Sequence, residues 1–125
     1  MFSLIRPDIA KFIDYARSNG VLDIYFSTNG FLLSEKMSRR LIHSGLTRLQ
    51  VSIDAFSDKV YDKIRVGGDL KKVCKNILRF IEIRNHELKT ELPTMRVNFV
   101  KTNENKHEID QFVDYWKDKV DAIGI

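Results

Sequence analysis

Residues 23–54, DIYFSTNGFLLSEKMSRRLIHSGLTRLQVSID, set two β-rich runs on either side of a helical one. Asp23 to Thr28 is the first run, closed by Asn29-Gly30, a pair suited to a backbone position of positive φ. Ser34 is placed to cap a helix through His43, with Met37, Leu41 and Ile42 on its apolar side and Gly45 as its stop. Leu49, Val51 and Ile53 then alternate with Gln50, Ser52 and Asp54, which puts polar side chains on one face of a second strand near its C-terminal end. Two strands joined through a helix run parallel with a right-handed crossover, so this stretch predicts an α/β fold.

The same alternation continues outward. Pro7 to Asn19 reads as a helix with Ile9, Phe12, Ile13 and Ala16 on one side and Gly20 as its stop. Ser57 caps a short helix reaching Arg65. Val66 to Asp69 breaks to a long helix over about residues 70–88, with Val73, Ile77, Phe80, Ile81 and Leu88 inward. A strand from Met95 to Val100 follows Leu92-Pro93. Asn105 or Lys106 opens a helix carrying Ile109, Phe112, Val113 and Trp116, and Asp121 to Ile125 begins one more strand. The predicted order is α-β-α-β-α-α-β-α-β, with about four parallel strands and no internal linker or repeat.

Bulk properties bound the function. At 125 residues the chain is one domain, short of a complete (β/α) barrel, which needs roughly 200 residues or more. Its 43% hydrophobic and 30% charged residues are those of a globular chain. The short apolar run before Pro7-Asp8 does not suit a signal peptide, so the expected location is cytoplasmic, with no membrane contact. The single Cys74 cannot form an internal disulfide and fits a reducing compartment. The net charge of +4 comes from basic residues interleaved with 17 acidic ones, a pattern of solvated helix faces in which a nucleic-acid partner is not expected.

Ligands of parallel β/α folds sit at the carboxyl ends of the strands. Four such places carry polar groups: Ser27 to Gly30, Ser52 to Ala55, Asn98 to Lys101 with Asn103, and Gly124-Ile125. They offer hydroxyls, amides and a carboxylate, suited to orienting a polar small molecule but forming no nucleophile-base pair. A plainer reading stands beside each. Thr28-Asn29-Gly30 also describes a simple turn, Ser52 and Asp54 an Asx-type strand end, and Arg65 a surface arginine. His43 suits a helix C-terminus and Cys74 a packed thiol, and the three His and one Cys have no metal-ligand spacing.

Taken together, the segments resemble a known family. Residues 27–77, STNGFLLSEKMSRRLIHSGLTRLQVSIDAFSDKVYDKIRVGGDLKKVCKNI, are similar to the middle of radical S-adenosylmethionine (radical SAM) proteins, especially the SPASM-type branch with its extra cluster-binding domain. A strand ending in Thr-Asn-Gly, a helix, Ser-Gly-Leu, a strand ending in Val-Ser-Ile-Asp-Ala, then Tyr-x-x-Ile-Arg and Gly before a long helix follow that family's order. The resemblance covers nearly the whole chain.

What the resemblance implies is a partial (β/α)6 barrel, from its second helix to its sixth strand. Family members bind a 4Fe-4S cluster through C-x-x-x-C-x-x-C and cleave S-adenosylmethionine to start radical, oxidoreductase-type modification of a substrate. By position, Ser52 and Asp54 would lie near the ribose and methionine of the cofactor. Arg65 would face its carboxylate, Thr28 and Asn29 would line the cavity, and Asn98 would stand on a neighbouring strand. The chain departs from the family in having no C-x-x-x-C-x-x-C and no Gly-Gly-Glu-Pro strand end. The expectation is therefore a segment of a longer enzyme, inactive alone, whose partner is the remainder of the parent chain. The rival expectation is a cluster-free α/β binding or interaction module, pairing in a homodimer through exposed sheet edges.

Overall fold

The structure is a computed structural model and describes residues 9–88 and 92–125. Its elements follow the predicted order: α1 (Ile9–Ser18), β1 (Tyr25–Thr28), α2 (Glu35–Ile42), β2 (Arg48–Ser52), α3 (Asp58–Ile64), α4 (Leu70–Glu87), β3 (Thr94–Asn98), a 3-10 turn (Lys106–Glu108), α5 (Ile109–Trp116) and β4 (Ala122–Gly124). The expected helix start at Pro7 lies outside the described residues.

The caps were readable and are made. Ser34 Oγ accepts from the Met37 N–H, and Ser57 Oγ from the Val60 N–H. Asp69 does the same for α4, accepting from the Lys72 N–H. Several ends move by a residue or two. The second strand stops at Ser52 because Asp54 turns to a φ of 64°, a left-handed value that Asp tolerates better than most residues. Where Asn105 or Lys106 was expected to open an α-helix, a 3-10 turn comes first and α5 begins at Ile109. Phe12, expected on the inner side of α1, is 37% exposed, while Ile9 and Ile13 are fully buried.

The four strands form one parallel sheet in the order β1-β2-β3-β4. Sequential order with right-handed crossovers places every helix on the same face. The register shows which face that is. Phe26, Leu49, Val51, Ile53, Met95, Val97 and Phe99 are fully or almost fully buried and share a core with helix residues such as Ile13, Val73, Phe80 and Trp116. The opposite face carries Ser27, Gln50, Ser52, Arg96 and Asn98, all half-buried. This is the expected α/β architecture, four parallel strands alternating with helices, with its polar face turned away from them. Among the described residues, no helix is long and apolar enough to cross a membrane.

Candidate functional site

Period-two alternation assembles a polar row across the uncovered face. Ser27, Gln50 and Arg96 are lateral neighbours in the sheet, as are Ser52, Asn98 and Gly124. Gln50 Oε1 accepts from Ser27 Oγ at 3.2 Å and from Asn98 Nδ2 at 3.4 Å, while Arg96 Nε donates to Asn98 Oδ1 at 2.9 Å. Each side chain thus fixes the next. Gly124 completes the row by having no Cβ: one placed there would collide with Arg96 Nη2 and Asn98 Oδ1. Among the described residues, Arg96 has no carboxylate partner. Its terminal guanidinium nitrogens are left as donors on the open face.

Around the end of β2 a second group forms. Arg65 Nη2 donates to the Ser52 carbonyl at 3.0 Å and to Asp54 Oδ2 at 3.2 Å. Asp54 Oδ1 accepts from the Val100 N–H at 2.7 Å, so both carboxylate oxygens already hold protein donors. Arg65 Nε is buried with no partner. The guanidinium lines a cleft of about 330 Å³ with Asn29, Phe31, Tyr61 and the Val66–Gly68 turn.

The structure therefore brings Ser52 beside Asn98, and Asp54 beside Arg65, with Asn29 across the cleft from Arg65. Thr28 stands apart. Its lateral neighbours are Val51 and Val97, on the helix-covered face, and its Oγ1 accepts from the Gly30 N–H at 3.2 Å. Asn29 Oδ1 accepts from the Phe31 N–H, a turn contact of the kind the plainer reading describes. Gly30 itself has a φ of 81°, and a Cβ would press on Val51 and Val73 at 3.0 and 3.1 Å.

The site also contains residues that sequence reasoning passed over. Arg96 was visible in principle, because alternation in MRVNFV places it on the face of Asn98. Asn105 and Glu108 carried no such signal. Asn105 is fully buried and donates to the Asp54 and Val100 carbonyls, both at 2.9 Å. Glu108 is 4% exposed, and its Oε1 accepts from the Phe56 and Ser57 N–H groups at 2.9 and 3.1 Å. Burial alone would raise the Glu108 pKa, but hydrogen bonds from Ser57 and the Phe56 N–H outweigh it and hold the carboxyl below its ordinary value.

Two cofactors follow from the family likeness, and the residues fit them unequally. An orphaned, buried Arg65 Nε at the edge of a polar cleft suits the carboxylate end of S-adenosylmethionine. The 4Fe-4S cluster does not fit. The one thiol, Cys74, sits on α4 in the outer helix layer, where burial pushes its pKa up to about 11, with Asp58 adding to the shift. Among the described residues no three His, Cys, Asp or Glu side chains stand together to hold a metal.

The family model described as the Radical SAM superfamily matches residues 2–115. A protein named "Probable GTP 3',8-cyclase" from Methanococcus maripaludis is 33% identical over 120 residues, 96% of this chain and 37% of its own length. Its namesake from Methanocaldococcus jannaschii is 29% identical over 92% of this chain and 36% of its own length. A "GTP 3',8-cyclase" from Limosilactobacillus fermentum is 28% identical over 92% of this chain and 33% of its own length. The chain spans about a third of the length of these relatives.

Proposed function

The chain belongs to the radical SAM superfamily, and from that premise we propose that it supplies the stretch of barrel on which S-adenosylmethionine and a polar substrate lie across the carboxyl ends of β1–β4. The observation that carries this is the uncovered polar row with its two cationic donors. Arg65 stands at the cofactor end with an orphaned Nε, and Arg96 in mid-sheet with terminal nitrogens unclaimed. Arg65 is already paired with Asp54, whereas Arg96, half-buried with no carboxylate partner among the described residues, leaves a cationic donor free for an anion.

The roles divide by position. Arg65, steadied by Asp54, takes the cofactor carboxylate; Ser52 and Asn98 hydrogen-bond its sugar and amino-acid atoms; and Asn29 closes the far wall of the cleft. Arg65, Ser52 and Asn98 would hold S-adenosylmethionine, which would supply radical chemistry at this end of the sheet. The residues of this chain bind and orient. Because the cluster ligands of the family are not among them, the chain alone is inactive, and the remainder of the enzyme, in the cytosol, is its partner. The names of the relatives favour a nucleotide substrate over the SPASM-type substrates that the sequence suggested, with a phosphate resting on Arg96.

The test is a chimaera. Residues 9–125 replace the matching segment of the Methanococcus maripaludis relative, and release of 5'-deoxyadenosine and turnover of GTP are followed. Both should persist, and Arg96→Ala should weaken GTP binding about 10- to 100-fold, the loss of a charged hydrogen bond. A chimaera that folds but neither binds S-adenosylmethionine nor forms 5'-deoxyadenosine overturns the proposal. Cofactor cleavage without any effect of Arg96→Ala removes the nucleotide part alone.

A further inference from the structure

Two loops at the carboxyl ends of the strands, residues 53–57 after β2 and 99–108 after β3, are bolted together by side chains distant in sequence. Asn105 Nδ2 bridges the carbonyls of Asp54 and Val100, while its Oδ1 accepts from the Thr102 N–H at 2.7 Å. Glu108 reaches across to accept from Phe56 and Ser57, the residues that lead into α3. Asp54 returns the connection by accepting from Val100 with one oxygen and holding Arg65 with the other. Both Asn105 and Glu108 are buried, and both polar atoms of the Asn105 side-chain amide are hydrogen-bonded.

We infer that Asn105 and Glu108 are positioning residues of the strand-end site, fixing the backbone of Asp54 to Ser57 and through it the placement of Arg65 and Ser52. Neither side chain points to the polar row or the Arg65 cleft, so neither needs to touch a ligand. Their effect travels through Asp54: when loop 99–108 moves, the Val100 N–H leaves the carboxylate, and the anchor of Arg65 shifts with it. The inference rests on the reading of that site as the cofactor's, but its mechanical half can be measured without any ligand.

The experiment uses the full chain. Amide exchange at Val100 is compared with that at Val51 and Val97 inside the sheet, and S-adenosylhomocysteine is titrated by calorimetry. Glu108→Ala should speed exchange at Val100, which Glu108 does not touch, while Val51 and Val97 stay protected. Affinity for S-adenosylhomocysteine should fall about five- to thirty-fold, the range of couplings carried through packed networks. Glu108→Gln keeps the accepting oxygen and should remain within about two-fold of the parent chain on the same scale. If Glu108→Ala does not fold, Asn105→Ser, which loses the two donated bonds, is read in the same way. Unchanged exchange at Val100 overturns the inference. So does faster exchange with unchanged affinity. Faster exchange in a parent chain that never binds S-adenosylhomocysteine sinks the cofactor reading instead and leaves the coupling of the loops standing.

Discussion

Asp54 shows how much one residue settles at the end of β2. Its left-handed backbone stops the strand, its carbonyl receives Asn105, and its carboxylate joins Val100 to Arg65. Cys74 is its opposite, a reactive atom made inert by its place. With its pKa pushed up to about 11 by burial, about one thiol in a thousand is ionised at pH 8. Native protein should therefore react slowly with Ellman's reagent at pH 8, and the rate should climb steeply as pH rises toward 11. The same chain in urea should react at once, and a fast native reaction at pH 8 would show Cys74 to be exposed. Glu108 gives a pH effect of opposite sense. A carboxyl held below its ordinary value contributes stability that is full above that value and is lost as pH falls through the folded-state pKa. Acid unfolding of Glu108→Gln should accordingly show a shallower loss of stability below about pH 4.5 than the parent chain.

Among the elements, α4 carries the heaviest duty. Its Asp69 cap fixes one end, and near the other Arg84, almost wholly buried, donates to the Pro93 carbonyl at 3.1 Å and to Asp121 Oδ2 at 2.6 Å. Asp121 also accepts from the Met95 N–H, so one carboxylate ties α4 and β3 to the start of β4. Asp121→Ala leaves the buried Arg84 charge without its carboxylate and the Met95 N–H without its acceptor, which should cost about 3 to 5 kcal/mol in urea unfolding. A loss below 1 kcal/mol would show that water replaces the carboxylate there. The helices and strands themselves were legible because their signals are local. Ser34 and Ser57 stand one residue before a helical run, and Leu49, Val51 and Ile53 alternate with polar neighbours. The 3-10 turn before α5 was not legible, since Asn105 reads as a helix cap by type but spends its side chain on Asp54, about fifty residues away. The same separation hid Glu108, and a polar residue in a loop gives no sign in its sequence that it is buried.

For the molecule as a whole, the sequential strand order leaves β1 and β4 each paired on one side only among the described residues. Unpaired parallel edges offer rows of N–H and C=O groups to another strand. Sedimentation of this chain should show concentration-dependent association, and a monomer at every concentration would mean that both edges are covered. The choice between a ligand-binding barrel segment and an interaction module could not be made from strand order, because either would fold this way. The family likeness supports a radical SAM enzyme segment.

Arg84 and Asp121 grip the start of β3 through the Pro93 carbonyl and the Met95 N–H, whereas the open row ends at Asn98, about 10 Å beyond Met95 at the rise of an extended strand. The tie and the proposed binding row thus lie toward opposite ends of β3. Such a division lets descendants of this sequence diverge in what they bind while inheriting an unchanged frame. Randomising Gln50, Arg96 and Asn98 together should yield a population that mostly still folds and differs in its choice of anion, a repertoire that an evolving genome can explore one substitution at a time.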